Sequence, residues 1–166
     1  MSFQRLQSGD RISHPMYGLG QVEGVTTFDQ GGRATDFYNV RLTKGGLLTV
    51  PVDRAEGLGL RLIVNSLATV VACLRTAAHP LSDNDRERVV ELKACWHAPH
   101  AAAVTEAVRD LMGRGRTHRL TPNDKRWLTN ACERLSAEAA TVDAIDLFQA
   151  RAAIQKEVDL LKSHAA

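Results

Sequence analysis

The chain has 166 residues, which is enough for one medium-sized domain or two small ones. Its 44% hydrophobic and 24% charged residues are typical of a globular protein, and a formal net charge of +2 is too small to indicate a nucleic-acid partner. We recognise no apolar run of membrane-spanning length and no secretory leader, so we expect a cytoplasmic protein without a membrane partner. Three isolated cysteines favour reduced thiols.

The two halves of the chain differ in composition and in the period of their apolar residues. Most of the glycines lie in residues 1–63, where apolar residues recur with a period of two. Residues 64–166 are rich in alanine, and their apolar residues follow a helical period. This ordering predicts an α+β protein, in which an N-terminal β module precedes a C-terminal helical module.

The strands and turns predicted for the first half are typical of a small, strongly bent β-barrel. Strands are predicted over residues 21–28, 36–43 and 47–52, with glycine-rich turns between them. Gly24 interrupts the alternation of the first of these strands and marks a β-bulge. Pro51 removes a ladder donor from the last, so we expect that strand at an edge of the sheet, where another protein can pair with it.

The second half predicts five short amphipathic helices in a compact bundle. Their start signals, in chain order, are Ser66, Ser82 or Asp83, Pro99, Thr121 and Thr141. The strongest is Thr121, because it is followed by a proline at the first helical position and an acidic residue at the capping-box position. On the second helix we expect Val89, Leu92 and Trp96 to face inward, and on the fifth Leu147, Ile154, Val158 and Leu161.

A set of residues in both halves resembles one family. The opening pattern is Gly9, Asp10, His14, Pro15, Tyr17, Gly18, Gly20 and Val22, and the closing pattern is Val50, Pro51, Gly59, Leu60 and Arg61. At these spacings they resemble the RNA polymerase-interacting domain of the CarD/CdnL bacterial transcription regulators. Residues 103–111 and 120–139 are similar to helical segments of the same family, so the resemblance covers nearly the whole chain and is closest to stand-alone, CdnL-like members.

The resemblance implies a Tudor-like barrel over residues 1–63 that binds the β-subunit lobe of RNA polymerase. The positions that align with its polymerase-facing strands are Phe28, Arg33, Arg41, Thr49 and Pro51. It also implies that the helical domain, residues 64–166, lies beside promoter DNA at the upstream edge of the melted region. The residues implied to contact DNA are Asn84, Asp85, Arg86, Arg88, Lys125 and Arg126.

Two functions remain open at this point. The family places a DNA-wedging tryptophan where this chain has Asp85, and an arginine where it has Glu87. Either the protein binds the polymerase lobe and modulates promoter open complexes, or it is a polymerase- or protein-binding module that has lost DNA engagement and acts as a modulator or competitor. A basic stretch from Arg109 to Arg126 is a second possible phosphate-binding surface.

Nothing in the sequence predicts catalysis. The six histidines have no ligand spacing with cysteine, and no phosphate loop, dinucleotide fingerprint or nucleophile elbow is present. We therefore expect a non-enzymatic protein without a metal or other cofactor, located in the cytoplasm and associated with the nucleoid. The sequence favours no particular oligomeric state.

Overall fold

Two units make up the chain, residues 1–63 and residues 64–166. The computed structural model describes residues 5–29, 31–63 and 66–163, with side chains as far as residue 160. The first unit is built from β-strands and the second from α-helices, so the α+β class predicted from the sequence is confirmed.

In the first unit, the described residues form an antiparallel sheet of five strands in the order β4-β3-β2-β1-β5. The strands are β1 (Arg11–His14), β2 (Gly18–Asp29), β3 (Ala34–Leu42), β4 (Leu47–Pro51) and β5 (Arg61–Leu62), and a 3₁₀ turn, Val52–Arg54, follows β4. The barrel expected from the sequence is not closed, because β4 and β5 end the sheet on opposite sides and do not pair within the described residues. The expectation that Pro51 belongs to an edge strand is confirmed.

The glycine-rich opening forms the β1–β2 turn. The His14 Nδ1 atom accepts hydrogen bonds from the backbone amides of Met16 and Tyr17, at 3.1 and 3.3 Å. Gly18 then adopts a left-handed φ of 79°, which a residue with a Cβ would adopt only under strain. His14 is therefore a residue that builds the turn.

A β-bulge interrupts strand β2 just after its two buried residues, Gly20 and Val22. Val22 faces Val40 and Gly24 faces Asn39, so one extra residue is inserted between them, at the position indicated by the sequence. The core of this unit lies beneath the sheet and contains the fully buried Ile12, Tyr38, Val40 and Leu60. The Tyr38 hydroxyl accepts a hydrogen bond from the Leu6 amide at 3.1 Å, which satisfies its polar end.

The described residues of the second unit, 66–163, form five helices, the number expected. They are α1 (Leu67–Leu74), α2 (Asp85–His97), α3 (Ala103–Gly115), α4 (Pro122–Asp143) and α5 (Leu147–Ser163). Val70, Val108, Leu135 and Ile154, one from each of α1, α3, α4 and α5, meet in the main core. Leu92 of helix α2 forms a second, smaller cluster with Ala107 and Leu111 of α3.

Three of the predicted helix starts are wrong. Helix α2 begins at Asp85, because Asn84 accepts hydrogen bonds from the amides of Arg86 and Glu87 and so supplies the cap. Helix α3 begins at Ala103, after residues 99–102 have formed turns. Thr141 lies inside α4, which continues to Asp143.

Two predicted inward positions are also wrong. Val89 and Leu147 are exposed, and on α2 the inward position next to Val89 is taken by Arg88. Ile154 and Val158 are buried as expected, while the prediction for the Leu161 side chain lies outside the described residues.

Candidate functional site

The first candidate site is the outward face of strands β2, β3 and β4, on the side of the sheet opposite the core. Along β3 the side chains alternate, so Tyr38 and Val40 are buried while Phe37, Asn39 and Arg41 lie on the other face. Residues that pair directly across an antiparallel ladder share a face. The strand register therefore identifies the neighbours of these β3 residues.

The register brings four of the five predicted polymerase-facing residues to this outward face. Pro51 pairs with Phe37, Thr49 pairs with Asn39, and Phe28 pairs with Thr35. Arg41 lies on the same face of β3 and pairs with Leu47. The fifth residue, Arg33, is exposed in the turn that precedes β3 and lies beside a cleft of about 620 Å³.

The outward face combines exposed apolar side chains with neutral polar ones. Phe28 is 49% exposed and packs edge-on against Phe37 with ring centroids 5.6 Å apart, and Leu47 is 58% exposed. The guanidinium of Arg41 forms an ion pair with Glu23, so the charge of this arginine is balanced within the sheet. The face offers apolar contact area with little net charge, which is the composition of the centre of a protein interface.

Leu47 was not among the residues singled out from the sequence. Its position opposite Arg41 gives the signal that could have found it, because an apolar residue paired with an exposed charge must share the exposed face. Strand β4 also ends the sheet, so among the described strands nothing pairs with its outer backbone edge.

The second candidate site is the beginning of α2, where the DNA-contacting residues were predicted. Asn84 is the helix cap, and Asp85 in the next position has a side chain that is 68% exposed. Arg88 is only 1% exposed. Its guanidinium donates to both carboxylate oxygens of Asp124 at 3.0 Å, to Asp85 at 2.6 Å and to the Ser82 carbonyl at 2.9 Å.

These contacts make Arg88 part of the interior of the helical unit. A guanidinium whose nitrogen atoms all donate to protein oxygens has no face left for phosphate, so the predicted DNA contact by Arg88 does not fit its position. The hydrogen bond with Asp124 raises the pKa of Arg88 despite burial. Burial raises the pKa of Asp124, but hydrogen bonds from Arg88 and Thr121 outweigh it, so this pKa is lowered overall.

Asp124 joins the starts of two helices. It is the third residue of α4 and completes a capping box with Thr121, whose backbone amide donates to the carboxylate at 2.9 Å. The same carboxylate holds Arg88 of α2. Two segments that are 36 residues apart in the chain are thereby fixed to each other.

The remaining predicted DNA contacts are exposed. Arg86, Lys125 and Arg126 all present their side chains to solvent. In the basic stretch, Arg109 is buried and donates to Asp110 at 2.7 Å, so it is not available as a phosphate ligand. Fewer cations are therefore exposed in this stretch than its number of basic residues indicates.

Two further observations concern site types outside these surfaces. Among the described residues, histidines, cysteines and carboxylates do not come together in a group of three that could hold a metal ion. Within the same part of the chain, every helix is too short or too polar to cross a bilayer.

Comparisons with known proteins agree with the geometry of both units. Residues 6–64 match the model of the CarD-like/TRCF RID domain, and residues 69–155 match the model of the CarD C-terminal domain. The chain is also similar to the Bacillus subtilis (strain 168) protein named "Putative transcription factor YdeB", with 24% identity over 147 residues that cover 84% of this chain and 93% of that protein. The chain therefore belongs to the CarD-like family of transcription regulators that interact with RNA polymerase.

Proposed function

We propose that this protein binds the β-subunit lobe of RNA polymerase through the outward face of β2, β3 and β4 and modulates promoter open complexes. The observation that carries the proposal is the position of Phe28, Arg41, Thr49 and Pro51, which share one exposed face beside the edge of β4 that no described strand pairs with. The protein is a non-enzymatic regulator in this account, and it works in the cytoplasm at the nucleoid.

The composition of this face supports a protein partner. Exposed Leu47 and Phe28 provide apolar area that water leaves when a partner binds. The free edge of β4 offers backbone donors and acceptors to a strand of the partner, while the neighbouring side chains provide specificity.

Binding to a purified β-lobe fragment tests the proposal. Leu47→Asp replaces exposed apolar area on the proposed contact face with a charge that must lose water when a partner binds, and we expect it to weaken binding by at least about tenfold. Leu58→Asp is the matched control, because Leu58 is also an exposed leucine of the first unit but does not belong to this face. Equal affinities of the two variants would contradict the proposed surface.

A second candidate function follows from the start of α2. Asp85 is exposed where the family resemblance implies a tryptophan wedge, and Arg88 is held inside the helical unit. An exposed carboxylate is repelled by phosphate and cannot stack between bases. This favours a regulator that binds polymerase without wedging DNA and that acts as a modulator or competitor.

The lifetime of a promoter open complex distinguishes the two functions. A longer lifetime in the presence of the protein supports DNA engagement through Arg86, Lys125 and Arg126, and simultaneous replacement of these three by glutamine should then abolish the effect and its salt dependence. An unchanged lifetime together with intact β-lobe binding supports the second function.

A further inference from the structure

A groove of about 410 Å³ lies between helices α2 and α4 of the second unit. Its walls include Val89, Leu92, Trp96 and Trp127, and two cationic side chains, Lys93 and Arg126, also line it. We refer to it as the α2–α4 groove. Neither the polymerase-facing surface nor the start of α2 accounts for it.

The interior of the groove suits a planar apolar group. The two tryptophan rings lie edge to face with centroids 6.1 Å apart, and they are the only tryptophans of the chain. Val89 is 44% exposed at this wall because Arg88 occupies the buried position beside it. Concave apolar sites of a few hundred Å³ with a small number of polar groups are typical of small-ligand sites.

The charges of the groove select an anion. Lys93 and Arg126 form no ion pair with a described residue. Among the described residues that line the groove, Asp124 is the one carboxylate, and it is already neutralised by Arg88 and by the Thr121 amide. An incoming carboxylate therefore meets two cations without an opposing acid in the lining.

The indole N–H of Trp127 adds a donor without an acceptor. This atom is buried and makes no hydrogen bond within the described residues. Buried donors are nearly always hydrogen-bonded. A small rotation of the indole toward a bound ligand would therefore let this N–H donate to an acceptor on the ligand. The groove thus combines positive charge with an apolar wall, and the buried N–H group of Trp127 in that wall has no acceptor within the described residues.

The surroundings of the groove favour a free small molecule over a nucleic-acid strand. Asp85 lies one helical turn before Val89 on the same stripe of α2 and is exposed. A polyanion following this stripe would pass close to that carboxylate, whereas a single carboxylate between Lys93 and Arg126 would not. We propose that the α2–α4 groove binds a free aromatic carboxylate, with its ring against the tryptophans and its carboxylate between the two cations.

Titration of the full chain with 1-naphthoate tests this site, which does not depend on the proposed polymerase function. We expect saturable one-to-one binding by calorimetry, with both indole N–H resonances shifting in an NMR titration. The uncharged analogue 1-naphthalenemethanol should bind about tenfold more weakly, since it gains nothing from the two cations.

Three variants locate the site. Lys93→Gln and Arg126→Gln should each weaken 1-naphthoate binding about threefold to fivefold, the range expected for exposed charge pairs. Lys156→Gln is the matched control, because it removes the same charge from an exposed position on α5 and should leave binding unchanged. Val89→Phe fills the groove from an exposed position and should abolish binding.

Three results would overturn the proposal. The first is equal binding of 1-naphthoate and its alcohol, which would leave no role for the cations. The second is identical affinity of the wild type and Arg126→Gln. The third is a single-stranded oligothymidine that shifts the indole resonances, and loses this effect in Val89→Phe, while 1-naphthoate does not bind.

Discussion

At the scale of single residues, the Arg88–Asp124 pair determines how the helical unit holds α2. Both side chains are 1% exposed and joined by two hydrogen bonds. Arg88→Met should therefore leave a buried carboxylate without its main partner and lower the free energy of unfolding by about 3–5 kcal/mol. Urea unfolding followed by tryptophan fluorescence measures this loss, because both tryptophans lie in the helical unit.

The double variant Arg88→Met with Asp124→Asn is the control for this prediction. It removes both charges while keeping an oxygen for the capping box, so part of the lost stability should return. A loss below about 1 kcal/mol in Arg88→Met would mean that the pair does not fix the two helices.

The same pair predicts how stability depends on pH. The pKa of Asp124 in the folded protein lies below its ordinary value of 3.8, so the folded state binds this proton more weakly than the unfolded chain does. The resulting stability is fully present above that ordinary value and is lost as the pH falls through the folded-state pKa. The difference in unfolding free energy between wild type and Asp124→Asn should thus shrink as the pH is lowered from 6 to about 3. A difference that stays constant over this range would contradict the assignment.

Arg88 also shows what the sequence could not reveal at this scale. A cation in the first turns of an amphipathic helix is usually exposed to solvent. Arg88 also aligns with a position that contacts phosphate in the family, so the sequence predicted an exposed side chain. Its partner Asp124 lies 36 residues further along, and no local pattern joins the two. Only the packing of α2 against α4 reveals that Arg88 is internal and that Val89 is not.

At the scale of elements, Gly20 sets how closely β2 approaches β3. A Cβ at this position would lie 2.7 Å from a methyl carbon of Val40 and 2.8 Å from the Arg41 carbonyl oxygen. Gly20→Ala should therefore destabilise the first unit by about 1–3 kcal/mol through overpacking. Thermal unfolding followed by the near-ultraviolet circular dichroism of the tyrosines measures this loss of stability.

Gly24 provides the matched comparison for Gly20. It lies on the same strand, next to the bulge, and a Cβ there would meet nothing within 4 Å. Gly24→Ala should leave the transition within about 0.5 kcal/mol of the wild type. Equal losses in the two variants would show that strand conformation, and not contact with β3, governs both positions.

Helix boundaries were predictable where side chains cap locally. The capping box of Thr121 and the cap of Ser66 are both present, because their hydrogen bonds span only three residues. The start of α5 was missed because α4 runs past Thr141 to Asp143. The residue that follows, Ala144, caps the helix in a left-handed conformation with φ of 52°. Alanine gives no sequence signal for that conformation, which glycine normally adopts.

At the scale of the whole molecule, the change of periodicity was sufficient to predict an α+β chain with five helices. Closure of the barrel was not predictable in the same way, because alternation within strands fixes their faces but does not determine which edges meet. Most of the outward face could be predicted from the sequence, because alternation along β3 places Arg41 on the other face of the strand from Tyr38 and Val40. Leu47 needed the strand register.

We propose that polymerase contacts this protein at the β4 side of the sheet. Amide hydrogen exchange of the full chain, with and without a β-lobe fragment, tests it most directly. We expect the fragment to slow amide exchange in Leu47–Pro51 and to leave exchange in β5 and the helical unit unchanged. Slowed exchange confined to β5 or to residues 66–163, with none in β4, would contradict it.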